Sequence, residues 1–523
     1  MGSTRDIADV LAAELRSAGV RRLFGLPGGG PNLDVVGAAA DAGIDFVLAH
    51  DETAACIMAG TLGLLTGAIG AAIVTRGPGV TNAATGLAQA TLDRFPLLLV
   101  SDTVSSTMAS RVAHQRLDQQ ALSRPLTKWT GTLGRAAPEL VVRGASELAR
   151  RVPAGAVLLD FDAAAPGAAP PDLPPAATTS VAALARAREQ LAGSRHPVVI
   201  AGPQAALTPG ARDALAGLDC PMLCTYQGKG VVSDSSATSA GLFTNGTLER
   251  PLLRRADLIL CVGVDPVEPI PAPWTYQAPV IMVSPVPVHG DYFGEPTVVV
   301  GPLEATLPQL LAVAEPRWEV NAGALARKRG IESLAYHGPG LSPHDVVREV
   351  MRAAPAASTF TVDAGAHMLV AMPLLNAERP HQVLISNGLA TMGFALPSAI
   401  GAALSGPSEP VICIVGDGGL SMTLAELETL ARLNLDVVVV VFNDASLSLI
   451  EIKQTEGQGG AGAVRYRGTD YAALARGMGV PGCAVESAAE LRVRLSGGLR
   501  GPRLIDARID PEGYRHVIQV SRG

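Results

Sequence analysis

Three α/β domains, each a parallel sheet flanked by helices, are what this chain predicts, and three observations carry the expectation. The first is size. At 523 residues the chain exceeds what one hydrophobic core serves, and roughly 150 residues per domain gives three or four units. The second is a steady alternation of short apolar runs with alanine-rich helical patterns, which implies right-handed βαβ units. The third is a pair of interruptions. One covers residues 152–180, where Pro166, Pro170, Pro171, Pro174 and Pro175 fall together, and the other covers 315–343, around Gly338-Pro339-Gly340. Both read as linkers, so domains are expected at 1–165, 181–315 and 343–523.

Taken in order, the strand candidates are RLFGLPGG from Arg22, DFVLAH from Asp45 and AAIVTRG from Ala71 in the first block. PVVIAG from Pro197 and ADLILCVG from Ala256 follow in the second, then PVICIVGDGG from Pro410 and VVVVVFND from Val437 in the third. Ligands in such folds bind beyond the carboxyl ends of the strands, so the residues just after each run are the ones of interest. No repeat period is visible.

Composition narrows the class. Hydrophobic residues at 48% and charged residues at 17% exclude disordered and fibrous chains. Aromatics reach only 4% beside 57 glycines and 39 prolines, so the cores are expected to be built from Ala, Val and Leu. Apolar runs such as 437–442 and 97–100 are far shorter than the ~20 residues a bilayer requires and read as buried parallel strands. A net charge of −7 with no basic block leaves no nucleic-acid footprint. Neither a membrane nor a nucleic acid is expected as partner. An amphipathic helix from Thr4, in place of an apolar signal core, points to the cytoplasm. Six scattered cysteines, among them Cys220 and Cys224 without companions for zinc, read as buried thiols.

The sharpest local pattern is residues 411–444, VICIVGDGGLSMTLAELETLARLNLDVVVVVFND. An apolar strand ends in Gly416-Asp417-Gly418-Gly419. A helix follows, with Leu424, Leu427, Leu430, Ala431 and Leu433 on one face, and a second buried strand ends in Asn443-Asp444. If the strands are neighbours, Asp417 and Asp444 emerge side by side. Glycines let backbone N–H groups approach an anion at a helix N-terminus, and carboxylate and amide oxygens suit a hard cation such as Mg2+. The physical reading is a metal-bridged diphosphate.

On these residues the chain resembles the thiamine diphosphate enzymes, whose signature is GDG followed some 25 residues later by an Asn pair. The resemblance implies that Asp417, Asp444 and the carbonyl of Ser446 hold Mg2+, with Asp444 standing where the family has Asn. It extends to NGLATMGFALPSAIGAAL from Asn387, where Met392 would be the apolar wedge that bends the cofactor and the Ala390 carbonyl would accept from its amine. In DAGAHM from Asp363, His367 would touch the diphosphate.

In the first block, LAHDETAACIMAG places Glu52 after a strand and at the head of a helix. By itself such a carboxylate is a cap or dipole partner. The spacing of Glu52, Ala55, Met58 and Ala59 is similar to the family's E-x-x-A-x-x-M-A. There the Glu bonds the pyrimidine ring and promotes its imino tautomer, chemistry that needs a carboxyl of raised pKa in a dry pocket. RGPGVTN from Arg76 and the Gly28 loop are likewise similar to family segments. His114 and Gln115 resemble the His-Gln of acetolactate synthase-like enzymes, which faces the reacting carbons. Acetolactate synthases usually carry His where this chain has Asp51.

Glu52 and Asp417 lie in different blocks yet would touch one cofactor, so the resemblance implies sites between subunits of a homodimer or homotetramer. The implied reaction is decarboxylation of a small 2-oxo acid, followed by carboligation to a second carbonyl compound. The alternatives are a non-ligating decarboxylase that releases an aldehyde and a FAD-linked oxidase. FAD is not favoured, because no GxGxxG is present. Lys453 stands where biosynthetic acetohydroxyacid synthases have Trp, which points to a different second substrate.

Overall fold

The computed structural model describes residues 3–175, 177–270, 272–288, 292–454, 458 and 461–522. They form three six-stranded sheets in which every pairing is parallel. The first contains β1 (Arg22–Leu26), β2 (Asp45–Leu48), β3 (Gly70–Val74), β4 (Leu97–Asp102), β5 (Trp129–Leu133) and β6 (Ala156–Phe161), in the order β2-β1-β3-β4-β6-β5. The second contains β7 (Pro197–Ala201), β8 (Met222–Cys224), β9 (Ser239–Leu242), β10 (Leu258–Val262), β11 (Val280–Ser284) and β12 (Thr297–Val300), ordered β12-β11-β10-β7-β8-β9. The third contains β13 (Thr359–Val362), β14 (Val383–Ile385), β15 (Val411–Gly416), β16 (Val437–Asn443), β17 (Gly482–Val485) and β18 (Arg503–Arg508), ordered β14-β13-β15-β16-β18-β17.

The expected α/β class is therefore the observed one, and each strand candidate is a strand. The first and third sheets share one winding order, a duplication that the sequence shows no trace of. Three local expectations are corrected. The proline-rich stretch 152–180 contains β6, which pairs with β4 from Leu97↔Ala156 onward; its short apolar run AVLLDF outweighs the surrounding prolines. The stretch 315–343 contains the helix Ala322–Ser333, packed on β9. The segment after GDGG is two helices, Asp417–Met422 and Glu426–Arg432, with a break at 423–425. Two glycines and a β-branched Thr423 weaken continuous helix there, although Leu427 and Leu430 are buried as the periodicity requires.

The first and third domains share one core. The helix Glu52–Thr66 is buried almost all round, and Ala54, Ala55, Met58 and Ala59 cluster with Phe394, Ala395, Ala399 and Ile400. Val437 to Val441 are all fully buried. Five of the six cysteines are buried and Cys483 is half-buried, all with free thiols. Among the described residues no helix is long and apolar enough to cross a membrane.

The middle domain is tied to the first through a buried polar junction. Arg94 donates to Asp265 at 2.7 and 2.9 Å. Gln227 Nε2 donates to Asp93 Oδ1 at 3.2 Å, and the Gln227 N–H donates to Glu268 Oε1 at 3.0 Å. Burial pushes the Glu268 carboxyl up to about 8, well above its range of about 4.3 in an unfolded chain. A raised folded-state pKa means that this stability is complete below the unfolded pKa and is lost as the pH rises toward 8, by at most about 1.4 kcal/mol per pH unit. Glu268→Gln should therefore flatten the fall of Tm between pH 6 and 8 in scanning calorimetry, whereas superimposable profiles would show that Glu268 does not carry it.

Candidate active site

Two sets of candidate residues lie at the carboxyl edges of the first and third sheets. In the third sheet, β15 and β16 are neighbours with Gly416↔Phe442 in register, so Asp417 and Asp444 leave adjacent strand ends. Asp417 Oδ2 accepts the Ala445 N–H at 2.7 Å, while Oδ1 accepts the Gly418 N–H at 2.8 Å and the Tyr466 hydroxyl at 2.7 Å. Asp444 accepts the Ser446 N–H at 3.3 Å and the Ser448 hydroxyl. Burial raises the Asp417 carboxyl, and burial together with neighbouring Asp417 pushes Asp444 up to about 7. A buried carboxylate beside a half-buried one is a donor set that a hard divalent cation relieves. Among the described residues no group of three or more His, Cys, Asp or Glu could hold a metal. Any cation here would need backbone and ligand oxygens as well.

These residues line a cavity of about 240 Å3 with Ala390, Met392, His367, Gly416, Gly418, Gly419 and Ser446. Every residue of its wall lies between Ala364 and Tyr514, so Glu52 is not among them. A Cβ at Gly418 would lie 3.0 Å from Leu447 Cδ2, 3.2 Å from the Tyr466 hydroxyl and 3.4 Å from Met392 Cε, so glycine keeps the floor open beneath the methionine. His367 is packed against Gly365 and Gly416, and its Nε2 is buried without a partner. Burial pushes its ring down to about 4, so it is neutral near pH 7. An orphaned imidazole nitrogen, glycine N–H groups in a helix's first turn and paired carboxylates fit a metal-bound diphosphate.

In the first sheet, Glu52 opens its helix after β2, is buried, and accepts from Asn82 Nδ2 at 3.1 Å. Asp51 is the helix cap, accepting the Ala54 N–H at 2.8 Å, while His50 one residue earlier bonds Glu428 at 2.7 Å. Gly28 lies against Thr75 Oγ1, where a Cβ would collide. His114 and Gln115 are exposed on the loop before the helix Gln119–Ser123. Gln115 has φ +56°, and its carbonyl oxygen would be 3.0 Å from a Cβ at Gly77, so the GPG turn seats this loop beside the Glu52 edge. Lys453 is exposed and outside the cavity wall, which is aliphatic there through Leu447, Leu449 and Ile450. Thr455 to Gly457, just beyond it, lie outside the described residues.

Sequence reasoning missed several residues. Asn82 was inside a quoted motif but given no role. Tyr466 and Tyr471, whose hydroxyls bond the Asp417 carboxylate and carbonyl, sit some 50 positions away, and no spacing pattern marks them. Asp363, fully buried, accepts the Gly393 and Ala395 N–H groups, each at 2.9 Å, and so holds the Met392 loop.

An α/β edge with glycine-flanked Asp417 beside Asp444, and Met392 over Gly418, fits the expected thiamine diphosphate enzyme. The family models agree: the thiamine pyrophosphate enzyme N-terminal TPP binding domain matches residues 5–122, the central domain 184–310 and the C-terminal TPP binding domain 363–507. The chain is 30% identical to "Acetolactate synthase, catabolic" of Raoultella terrigena over 98% of each chain. It is 30% identical to "Acetolactate synthase" of Bacillus subtilis, over 96% of this chain and 93% of that one. It is 29% identical to "Acetolactate synthase isozyme 3 large subunit" of Escherichia coli, over 98% and 96%. The chain belongs to the thiamine pyrophosphate enzymes and is an acetolactate synthase-like member of that family.

Replacing Asp363 with alanine removes two charge-assisted hydrogen bonds and leaves two buried N–H groups unpaired. A loss of roughly 3 kcal/mol in folding stability is expected. Titration of thiamine diphosphate followed by fluorescence should also weaken by about tenfold or more. Unchanged stability and titration would show that the loop holds itself.

Proposed function

We propose that this enzyme catalyses the thiamine diphosphate- and Mg2+-dependent decarboxylation of a 2-oxo acid, followed by carboligation to a second carbonyl compound. The observation that carries this reading is the seating of Met392 beside Gly418, next to Asp417 and Asp444. Thiamine diphosphate would supply a nucleophilic carbon and an electron sink for decarboxylation. The chain's residues do the rest. Asp417, Asp444 and the Ser446 carbonyl would hold Mg2+, while Gly418, Gly419 and neutral His367 would face the diphosphate. The Ala390 carbonyl would accept from the pyrimidine amine, and Met392 would pack against the cofactor. Glu52 holds a proton at the pyrimidine ring beside Gly28, and His114 and Gln115 face the reacting carbons. The aliphatic wall of Leu447, Leu449 and Ile450 favours small apolar substrates.

Glu52 reaches the cofactor of a second copy in this reading. Exposed apolar side chains flank both edges: Leu33 (57% exposed) and Met108 (44%) on the first domain, Met422 (61%) and Ile450 (51%) on the third. A homodimer that pairs the two edges covers them.

Incubation with thiamine diphosphate, Mg2+ and a panel of 2-oxo acids, followed by mass spectrometry, should give carbon dioxide and a hydroxyketo acid. No carbon dioxide from any acid would overturn the reading, and aldehyde alone would replace carboligation with simple decarboxylation. Glu52→Gln should lower the rate about 10²–10⁴-fold without preventing cofactor binding. Mixing inactive Glu52→Gln and Asp417→Ala subunits should restore about a quarter of the sites if each site spans two chains. No restoration after subunit exchange would place both residues in one chain's site.

A further inference from the structure

A second cavity, sharing no wall residue with the first, lies between β9, the helix Ala322–Ser333 and the C-terminal helix Glu512–Arg522. Its volume is about 50 Å3. A water needs roughly 10–15 Å3 on this measure, so a ligand the size of a few waters fits. Its aliphatic wall includes Leu248 and Ile331, and its polar wall includes Tyr226, Glu249, Arg327 and Arg522.

Glu249 is only 4% exposed. Its Oε1 accepts the Thr244 N–H at 2.7 Å and the Gly246 N–H at 2.9 Å. Its Oε2 is buried and has no partner. A buried carboxylate oxygen left bare costs free energy unless a donor meets it. The cations nearby are not equivalent. Lys229 and Arg327 share Asp234, at 2.8 and 3.4 Å. Arg522 forms no ion pair among the described residues, and the Tyr226 phenol feels both its charge and that of Glu249. The cavity thus presents an acceptor without a donor, a free guanidinium and an aliphatic wall.

We propose that this cavity binds a short aliphatic carboxylic acid bearing a hydrogen-bond donor next to the carboxylate, an α-hydroxy or α-amino acid. The carboxylate meets Arg522, the hydroxyl or ammonium donates to Glu249 Oε2, and the alkyl group lies against Leu248 and Ile331. The site is wired to the active cavity by chain already in place. The loop that Glu249 holds donates from the Thr247 N–H to the Ser521 carbonyl at 3.0 Å, and from the Thr247 hydroxyl to the Val520 carbonyl. Those carbonyls end the helix whose Tyr514 lines the active cavity.

The test is calorimetric titration of the full chain, carrying thiamine diphosphate and Mg2+, with L-lactate and with L-alanine, using acetate as the donor-free control. Saturable binding of either acid is expected, and which one binds identifies the hydroxy or the amino acid as the source. Acetate should bind at least about tenfold more weakly. Glu249→Gln and Arg522→Ala should each weaken binding by about tenfold, the second on an exposed side chain whose loss leaves the fold intact. Absence of saturable binding by both acids, equal binding of acetate, or an affinity that Arg522→Ala leaves unchanged would overturn the proposal.

Discussion

The rest of this structure depends on the packing of one helix against another. The helix Glu52–Thr66 of the first domain meets Ala395–Leu404 of the third along a seam of small residues. A Cβ at Gly401 would lie 2.5 Å from the Met58 carbonyl oxygen, so only glycine permits the observed approach. The Thr61 and Ser398 hydroxyls are bonded across the same seam at 3.1 Å. Two sheets of identical winding are thereby fused through one core, and both carboxyl edges are fixed by the same contact. Each helix begins at its domain's candidate residues: Glu52 opens one, and the Met392 loop leads directly into the other.

The small residues of that seam are what let the two helices approach. Large aromatic side chains would hold the helices apart, whereas Ala, Gly, Ser and Thr allow backbones to touch. The seam itself is free of large rings, Phe95 and Phe394 pack edge-on beside it, and a larger aromatic cluster of Phe243, Trp274, Tyr292 and Phe293 lies in the middle domain.

The legible parts of the site were those encoded by contiguous chain. GDGG after one valine-rich strand and Asn443-Asp444 after the next could be placed together because both strands are buried runs, and such neighbours in an alternating chain pair in parallel. The break at 423–425 was not legible, because the apolar spacing continues through it and only the local backbone departs. β6 was hidden by the prolines that follow it. Tyr466, Asp363 and Asn82 were illegible for a different reason: each acts through a hydrogen bond to a residue remote in sequence, and nothing periodic records such a partner. The duplication of the first and third sheets left no mark either, since the same winding needs only apolar strands and small-residue helices, which many sequences supply.

The Met392 loop shows why those remote bonds matter. Ala390 has φ +54°, a left-handed conformation that a non-glycine residue adopts at a cost of about 1 kcal/mol or more. The loop keeps it because buried aspartates hold both flanks. On one side Asp93 of the first domain accepts from Ser386 Oγ and from the Gly388 N–H, each at 2.6 Å, and Ser386 Oγ in turn accepts the Thr391 N–H at 3.1 Å. On the other side Asp363 accepts from Gly393 and Ala395. Burial raises both carboxyls, Asp363 to about 7, so each acid has been removed from water to serve as an acceptor for backbone. The cost of burying two carboxyls and straining one alanine is met by five hydrogen bonds, donated by five residues between Ser386 and Ala395. Because Asp93 belongs to the first domain, the Met392 loop is held in place only while the shared core holds the two domains together. The helix seam therefore positions the methionine as firmly as it positions Glu52.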